Sequence, residues 1–323
     1  QAPRIQQGVI DIGPYEFTPP DCGLVGNIIY VDSSAVPGGN GHTWDSAFTS
    51  LSEALLIASF CSGVDTILVA RGTYYPGDTL FIRDPCTGDI VDTVIPDRSA
   101  TFNIPDGVVV MGGFPSGGGS YEERNWICNE TVLCGDLGTP GDSTDNSYHV
   151  VTTINADTTT TIDGFIVRDG NASGGPVSFG TDGGGWINIA NIDSSSSPTI
   201  LNTVICNNHA FFTGGGFANL PQQGGSFTAE CRPLLINCAI QGNTALNGGG
   251  LANSGFFGLS SLEMINCIVS GNRASAFGGG IFNYASDGES YATLTNCVIS
   301  GNAAVSGGGT GNSAFGDNDI CEV

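Results

Sequence analysis

The acidic side chains of one loop have the residue types and spacing that best suit metal chemistry. The segment GDLGTPGDSTDNS places Asp136, Asp142 and Asp145 close together among glycine, proline and serine. Carboxylate and carbonyl oxygens are the ligands that Ca²⁺ prefers, and a turn-rich loop can bring them together. The sequence therefore predicts a Ca²⁺ site at these three residues, with a solvated acidic loop as the alternative.

The charge balance limits the partners of the chain. The net charge is −23, and the eight basic residues are all arginine. A protein that binds nucleic acid must neutralise phosphates with basic groups, so a nucleic-acid partner is excluded, and anionic membrane surfaces are disfavoured for the same reason. No stretch is long and apolar enough to span a bilayer.

The cysteine pattern favours an oxidising compartment. The chain has 11 cysteines and no C-x-x-C pair, and its three histidines are well separated. A metal-binding thiol cluster is thereby disfavoured, and we expect a secreted or cell-surface protein that has some disulfides and some buried thiols. Sequence separation and loop context predict the pairs Cys128–Cys134 and Cys61–Cys86.

The C-terminal half repeats itself every 29 to 35 residues, and each copy carries asparagine at three fixed positions. The first column of equivalent positions is Asn202, Asn237, Asn266 and Asn296. The second column is Asn208, Asn243, Asn272 and Asn302. The third column, which follows a GGG triplet each time, is Asn219, Asn253, Asn283 and Asn312.

A period near 30, with short β runs and Asn/Gly corners, predicts an all-β solenoid of stacked coils. Each strand then pairs with its equivalents about 4.8 Å above and below. Asparagine amides stack along such corners and tolerate left-handed dihedrals, so we interpret the first two columns as structural ladders. Alternation places Thr203, Cys238, Cys267 and Cys297 in one inward column, and we expect these three thiols to be buried and unpaired.

The first half contains the single convincing helix signal. Ser50 and Glu53 have the spacing of a capping box before the apolar run ALLIA, and a helix there would cover an open end of the solenoid. We expect three parts: an extension over 1–22, a cap with irregular first coils over 23–125, and regular coils over 126–323.

Several segments resemble secreted right-handed parallel β-helix proteins of bacterial surfaces. They include IYVD with GGNGHTWDSAFTSLSEAL, RSATFNIPDGVVVMGGF, and IDGFIVRDGNA. The chain is similar to polymorphic-outer-membrane-type and pectate-lyase-like folds from residue 27 onward. The resemblance implies a right-handed β-helix with three sheets and an extracellular setting. It does not settle activity, because this fold hosts enzymes, adhesins and passive stalks.

The residues do not match the active sites that the resemblance implies. Lyases on this fold use an arginine or lysine base beside an acidic Ca²⁺ cluster, and hydrolases use two or three close carboxylates. Arg168 and Arg273 are the arginines of the regular coils, and neither has acidic residues at matching positions of neighbouring coils. We therefore expect a non-catalytic structural protein, with a carbohydrate-active enzyme or glycan-binding adhesin as the alternative. Clustered aspartates and exposed aromatic residues in a groove would favour the alternative.

The opening segment PRIQQGVIDIGPYEF resembles the DIGAYE signature that such proteins carry after their last coil. Its position at the other end predicts a head-to-tail homopolymer, in which residues 4–17 pack on the terminal coil of a second copy. The contacts would come from Val9, Ile10, Ile12, Tyr15 and Phe17, with a Cys22–Cys321 bond across the junction. A tandem precursor and a strand folded back on its own subunit remain the alternatives.

Overall fold

A computed structural model describes residues 5–6, 9–10, 26–77, 80–83, 90–94, 97–174, 180–222, 229–315 and 320–322. Nearly all of the regular structure is β, and the stacked strands pair in parallel. One coil passes in turn through Thr199–Leu201, Val204–Cys206, His209–Ala210 and Phe217–Pro221. The chain is therefore a right-handed parallel β-helix, as predicted.

The coils build three long sheets and a short fourth sheet at one corner. The strands of the first sheet are Ile28–Val31, Thr66–Ala70, Val109–Phe114, Thr161–Asp163, Ser195–Ser196, Thr199–Leu201, Glu230–Cys231, Leu234–Ile236, Leu259–Ile265, Glu289–Thr295 and Ile320–Glu322. The strands of the second sheet are Gly72–Tyr74, Thr131–Cys134, Ile166–Arg168, Val204–Cys206, Ala239–Gln241, Ile268–Ser270 and Val298–Ser300.

The strands of the third sheet are Phe102–Ile104, Val151–Ile154, Trp186–Ala190, Phe217–Pro221, Leu251–Phe256, Ile281–Ser286 and Thr310–Ala314. The short sheet contains Asn171–Ala172, His209–Ala210, Thr244–Asn247 and Arg273–Phe277. Two antiparallel pairs lie outside these stacks: Ile5–Gln6 with Val9–Ile10, and Leu80–Arg83 with Ile90–Val94.

Strand alternation explains the core. Every second side chain points inward, so equivalent apolar residues of successive coils stack on one another. Ile162, Ile200 and Leu235 form one such stack in the first sheet, and all three are buried. Burying these stacks stabilises the fold by about 25 cal/mol per Å² of apolar surface removed from water.

The predicted helix covers one end of this core. It spans Leu51–Phe60, and the Ser50 hydroxyl accepts a hydrogen bond from the Glu53 backbone N–H. Its buried residues include Leu51 and Leu55, which pack into the same cluster as the first coils. Two short 3₁₀ helices, Trp44–Ser46 and Tyr121–Glu123, complete the helical content of the described residues. Among those residues, no helix is long and apolar enough to cross a membrane.

The cysteines divide between predictions that hold and one that is wrong. Cys238 and Cys267 are buried free thiols, as predicted. Cys297 is also free, but it is half-buried, which differs from the prediction that it is buried. The predicted Cys128–Cys134 bond is absent, since both are free thiols. Cys134 ends a strand whose register turns its Sγ toward Asp169, 3.5 Å from Oδ2, while Cys128 lies exposed on the preceding turn.

The predictions for the N-terminal segment and the domain boundaries remain predictions. Cys61 is disulfide-bonded, and its partner lies outside the described residues. Val9 and Ile10 form a strand that pairs with Ile5–Gln6 of the same chain. The side chains of both residues, together with Ile12, Tyr15, Phe17 and Cys22, lie outside the described part of the chain. The Sγ of Cys321 lies 3.1 Å from the Ser313 carbonyl oxygen.

Candidate functional site

A groove of about 710 Å³ lies on the outer face of the third sheet. Its floor is formed by the strands Phe217–Pro221, Leu251–Phe256, Ile281–Ser286 and Thr310–Ala314. This volume is in the range of sites that bind small molecules or short segments of a polymer. We call it the aromatic groove, for the rings that line it.

Alternation along two neighbouring strands creates the hollow. In Ile281–Ser286, the buried residues Ile281 and Asn283 point inward, so Phe282 and Tyr284 stand on the outer face. Their partners on the preceding strand are Ala252 and Ser254. Two large rings therefore stand beside two small side chains, and the groove occupies the space that the small side chains leave.

The rings form one continuous surface. Phe282 stacks on Phe277 and on Tyr284, with centroid distances of 6.1 Å and 6.0 Å. Tyr284 also contacts Phe256 and Phe315, at 6.2 Å and 5.7 Å. Phe277 is 50% exposed and Phe315 is 72% exposed. Phe282, which packs beside Phe277, is only 6% exposed, so the rigid apolar area open to a ligand comes mainly from Phe277 and Phe315.

One wall of the groove follows a corner of the β-helix. Asp182, Thr213 and Asn247 occupy equivalent positions on three successive coils, joined by single β-bridges. The glycine after each has a left-handed φ, as at Gly183 (62°), which lets the chain turn tightly over the outer face. All three side chains line the groove. The Asn247 Oδ1 atom is buried and has no hydrogen-bond partner among the described residues.

Asp182 is the titratable group of this wall. Its Oδ1 accepts hydrogen bonds from Thr213 N at 3.0 Å and Thr213 Oγ1 at 2.6 Å, and its Oδ2 accepts one from Thr181 Oγ1 at 3.1 Å. Burial raises the pKa of this carboxyl, although the bonds from Thr213 and Thr181 oppose the shift. A carboxyl group with a raised pKa can hold a proton for transfer to a ligand.

The groove has little charge. Among the described residues that line it, Asp182 is the only carboxylic acid, and none is basic. The whole chain carries a net charge of −23. Polyanions would meet repulsion here with no arginine to pair with, so the electrostatics favour a neutral ligand.

Arg168, the arginine considered above as a base, lies elsewhere, on the outer face of the second sheet. Its strand neighbours are Cys134 and Cys206, and it forms an ion pair with Asp169. Burial lowers the pKa of this guanidinium, but the nearby Cys134 and Asp169 together raise it by more, so the net shift of the pKa is upward. A general base needs the opposite shift, so Arg168 is poorly suited to that role.

The three aspartates of the predicted Ca²⁺ site fold their own loop. Asp136 Oδ2 accepts from Gly141 N, and Asp145 Oδ2 accepts from Thr139 N. Asp142 is exposed and accepts from the backbone and hydroxyl of Thr144. In the described part of the chain, no group of three or more His, Cys, Asp or Glu side chains is placed to hold a metal ion. Ca²⁺ binding at these three residues therefore remains a prediction.

The asparagine columns form hydrogen-bonded chains along the coils. In the second column, the Asn243 Oδ1 accepts from the backbone and side chain of Asn208, at 2.9 Å and 3.0 Å. Asn272 and Asn302 continue the pattern. The first-column residues adopt left-handed φ values. In the third column, Asn219 Nδ2 donates a hydrogen bond to Asn253 Oδ1 at 2.9 Å.

The residues of the aromatic groove escaped the sequence analysis because they break the repeat. Phe282 stands where earlier coils carry Ala218 and Ala252, and Phe277 stands where they carry Thr213 and Asn247. A search for repeated columns discards such exceptions. A large aromatic residue that replaces a small one at an outward position of an aligned coil is the signal that would have found them.

The comparisons with known proteins bear on the fold of the chain and not on its activity. No protein-family model matches the chain, and no curated protein matches it. Among solved structures, it is similar to pectate lyase Pel9A, at 12% identity over 86% of this chain and 80% of that one, with a TM-score of 0.33. It is also similar to a rhamnogalacturonan lyase, at 14% identity over 81% and 74% of the two chains, with a TM-score of 0.30.

These comparisons correct one prediction. We expected a protein that is not an enzyme, yet both of these solved structures are of lyases. The expectation of a non-catalytic protein is therefore withdrawn. It rested on the lack of a carboxylate pair or an arginine beside acids in the aligned coils, and it overlooked the groove. The likeness itself is too distant to assign an activity.

Proposed function

We propose that the chain is a carbohydrate-active enzyme that binds a neutral glycan along the aromatic groove. Asp182 gives its proton to the glycosidic oxygen as the bond to the anomeric carbon breaks, and water adds to that carbon and releases a proton in turn. The observation that carries this proposal is the continuous ring surface of Phe277, Phe282, Tyr284 and Phe315 beside a buried carboxyl group. The substrates of the two lyases are not carried over to this chain, because that likeness is limited to the fold.

The ring surface suits a sugar chain. A pyranose ring has an apolar face of C–H groups and an edge of hydroxyl groups. Phe277 and Phe315 would pack against the apolar face, and the side chains of Thr213, Asn247 and Ser254 along the same groove would bond the hydroxyl groups. The buried Asn247 Oδ1, which has no described partner, is an acceptor ready for one of them.

The charge of the groove narrows the class of glycan. Recognition of acidic sugars normally uses arginine or lysine against the carboxylates. The described lining of the groove contains neither, and the carboxyl of Asp182 lies in its wall. A neutral polysaccharide binds without this repulsion, which supports neutral over acidic substrates.

An extracellular setting belongs to the same proposal. The disulfide bond at Cys61 is of a kind that persists in oxidising compartments. Nothing in the described part of the chain supports the predicted fibre, and head-to-tail association stays a prediction for which deletion of residues 1–17 is the test.

The proposal is tested by product release from neutral and acidic polysaccharides. We expect the wild-type chain to release new chain ends from a neutral glycan, and Asp182→Asn to lower this rate by at least about 100-fold, because the amide cannot donate the proton. Binding of the glycan should stay within about threefold of wild type, since the carboxamide oxygen of the variant can still accept from Thr213. Equal rates in the two proteins would contradict the role of Asp182.

The pH dependence of activity, compared between wild type and Asp182→Asn, is a second test of the role of Asp182. An acid donates only while protonated, so activity should be full below the pKa of Asp182 and should fall as the pH rises through it. Burial raises that pKa from its ordinary value of 3.8, so the alkaline limb should lie above pH 3.8. Residual activity of Asp182→Asn should lack this limb. A limb that persists unchanged in the variant would assign the acid to another group.

A further inference from the structure

Several buried oxygen atoms without hydrogen-bond partners belong to residues that hydrogen bonds join at one corner of the β-helix. Seven buried side-chain nitrogen and oxygen atoms of the described residues have no partner. Two of them belong to His149 and Asn247, and the other five are all oxygens of this corner: Asp136 Oδ1, Asp145 Oδ1, Asn146 Oδ1, Ser147 Oγ and Asn171 Oδ1. Buried polar atoms are almost always satisfied, so a cluster of unsatisfied acceptors needs an explanation.

Hydrogen bonds hold the amide side chains of this corner together. Asn171 donates from its backbone N–H to Ser147 O at 2.8 Å and from Nδ2 to Ser143 O at 2.5 Å. Arg98 donates to the main-chain oxygens of Asn146 and Asn171, both at 2.7 Å. Asn146 is 6% exposed and Asn171 is 8% exposed. The carboxamide of Asn171 therefore reaches into the loop 136–147 from the next coil.

Asp136 and Asp145, both in this loop, each have one carboxylate oxygen without a hydrogen-bond partner. Asp136 uses Oδ2 to accept from Gly141 N at 2.9 Å, and Asp145 uses Oδ2 to accept from Thr139 N at 2.6 Å. These bonds wrap the backbone 139–141 around both carboxylates. The Oδ1 atom of each is buried and accepts nothing. A buried carboxylate oxygen without a donor or a cation is costly, and here two occur in one loop.

The fifth oxygen is the hydroxyl oxygen of Ser147, the last residue of the loop 136–147. Ser147 is fully buried, and its backbone N–H donates to Gly135 O at 2.8 Å, directly before Asp136. Its hydroxyl oxygen has no partner. The main chain thus brings Asp136, Asn146 and Ser147 to the same corner, next to Asn171 above them.

We propose that these oxygens bind one Ca²⁺ ion. Ca²⁺ takes six to eight oxygen ligands from carboxylates, amide carbonyls, hydroxyls and water, in flexible geometry. The corner supplies two carboxylate oxygens, two amide oxygens and a hydroxyl oxygen, and water completes the shell. Zn²⁺ and other transition metals prefer nitrogen and sulfur ligands, and Mg²⁺ keeps several waters, so Ca²⁺ is the ion that this donor set fits. Only two of the five ligands are acidic, so the site is not a cluster of His, Cys, Asp and Glu side chains.

This assignment changes the ligand set that the sequence predicts. Asp136 and Asp145 stay, whereas Asp142 is exposed and its Oδ1 is engaged by Thr144. Asn146 and Asn171 replace it. Asn171 lies on the following coil, so the ion would join the loop to the body of the β-helix. The site is separate from the aromatic groove, and its test does not depend on the proposed function.

Calorimetric titration of the metal-stripped protein with CaCl₂ tests the proposal. We expect one Ca²⁺ per chain, a rise in Tm of about 5 °C in millimolar Ca²⁺, and much weaker binding of Mg²⁺. Asp145→Asn should weaken Ca²⁺ binding by at least about tenfold, because it removes a ligand charge and keeps the shape. Asp142→Asn is the matched control, since it removes the same charge from the same loop.

Three results would overturn the site. The first is wild-type protein that gives neither binding heat nor a change in Tm with Ca²⁺. The second is equal weakening by Asp142→Asn and Asp145→Asn, which would show general attraction to an acidic chain. The third is full Ca²⁺ affinity in Asp145→Asn. If Asp145→Asn does not fold, Asp136→Asn takes its place against the same control.

Discussion

Replacing Gly249 with alanine is expected to abolish the stable β-helix. Gly249 is the central residue of a GGG triplet, and an added Cβ would overlap the main-chain carbonyl of Arg273 on the next coil. The obstacle is backbone, which cannot rotate away as a side chain can. Opening the coil spacing there would break several ladder hydrogen bonds, so we expect a loss of more than about 4 kcal/mol.

The same triplet in another coil provides the control. Gly308 is the central residue of its triplet, but an added Cβ there lies 3.1 Å from Asn302 O and meets no other atom closer than 3.9 Å. We expect Gly308→Ala to cost less than about 1 kcal/mol. Thermal unfolding followed by circular dichroism compares the two. Similar Tm values for both variants would contradict the view that close coil stacking requires the glycine.

Replacing Asn243 with alanine is expected to be the second largest perturbation. The side chain accepts from the backbone and amide of Asn208, and it donates to Ile205 O at 2.9 Å and to Asn272 Oδ1 at 3.0 Å. Alanine would leave these buried groups without partners and leave a cavity. Each unsatisfied buried group costs about 1–3 kcal/mol, and we expect a total of about 4 kcal/mol.

An asparagine of the first column is the matched control. Asn237 is exposed, and its one side-chain bond, to Asn202 Oδ1, is long at 3.4 Å. Its φ of 56° is left-handed, so glycine is the fair replacement there. Asn237→Gly should change the free energy of unfolding by less than about 1 kcal/mol, measured by urea denaturation of both variants. Equal costs would mean that the buried ladder adds nothing beyond its turn geometry.

The repeat made the fold predictable from sequence. Columns such as Cys238 and Cys267 show which side chains point inward, and the Ser50–Glu53 spacing marks the helix that covers the first coils. The solenoid needs only these local rules, because each coil contacts its neighbours in the same register. Cys128 and Cys134 show the limit, since closeness in sequence does not fix the direction of a strand-end thiol.

The candidate site was not predictable from the same rules. Phe212, Phe277 and Phe315 are far apart in sequence and occupy different columns, so they meet only through the outer surface that the stacked coils create. Asn171 likewise reaches the loop of Asn146 only through a contact between coils, in which its backbone N–H donates to Ser147 O. In both cases the chemistry depends on exceptions to the repeat, and periodicity carries no information about exceptions.

Two adjacent phenylalanines allow the most direct test of the aromatic groove. Phe212 lines the groove and is 48% exposed, whereas its neighbour Phe211 is 62% exposed and is not among the lining residues. The measurement is a calorimetric titration of wild type, Phe212→Ala and Phe211→Ala with a soluble neutral oligosaccharide and with an acidic one. We expect the neutral sugar to bind, Phe212→Ala to weaken it by at least about tenfold, and Phe211→Ala to leave it unchanged. Binding of the acidic sugar alone would contradict the neutral substrate class, and the absence of any binding, or equal effects of the two substitutions, would contradict the groove as the glycan site.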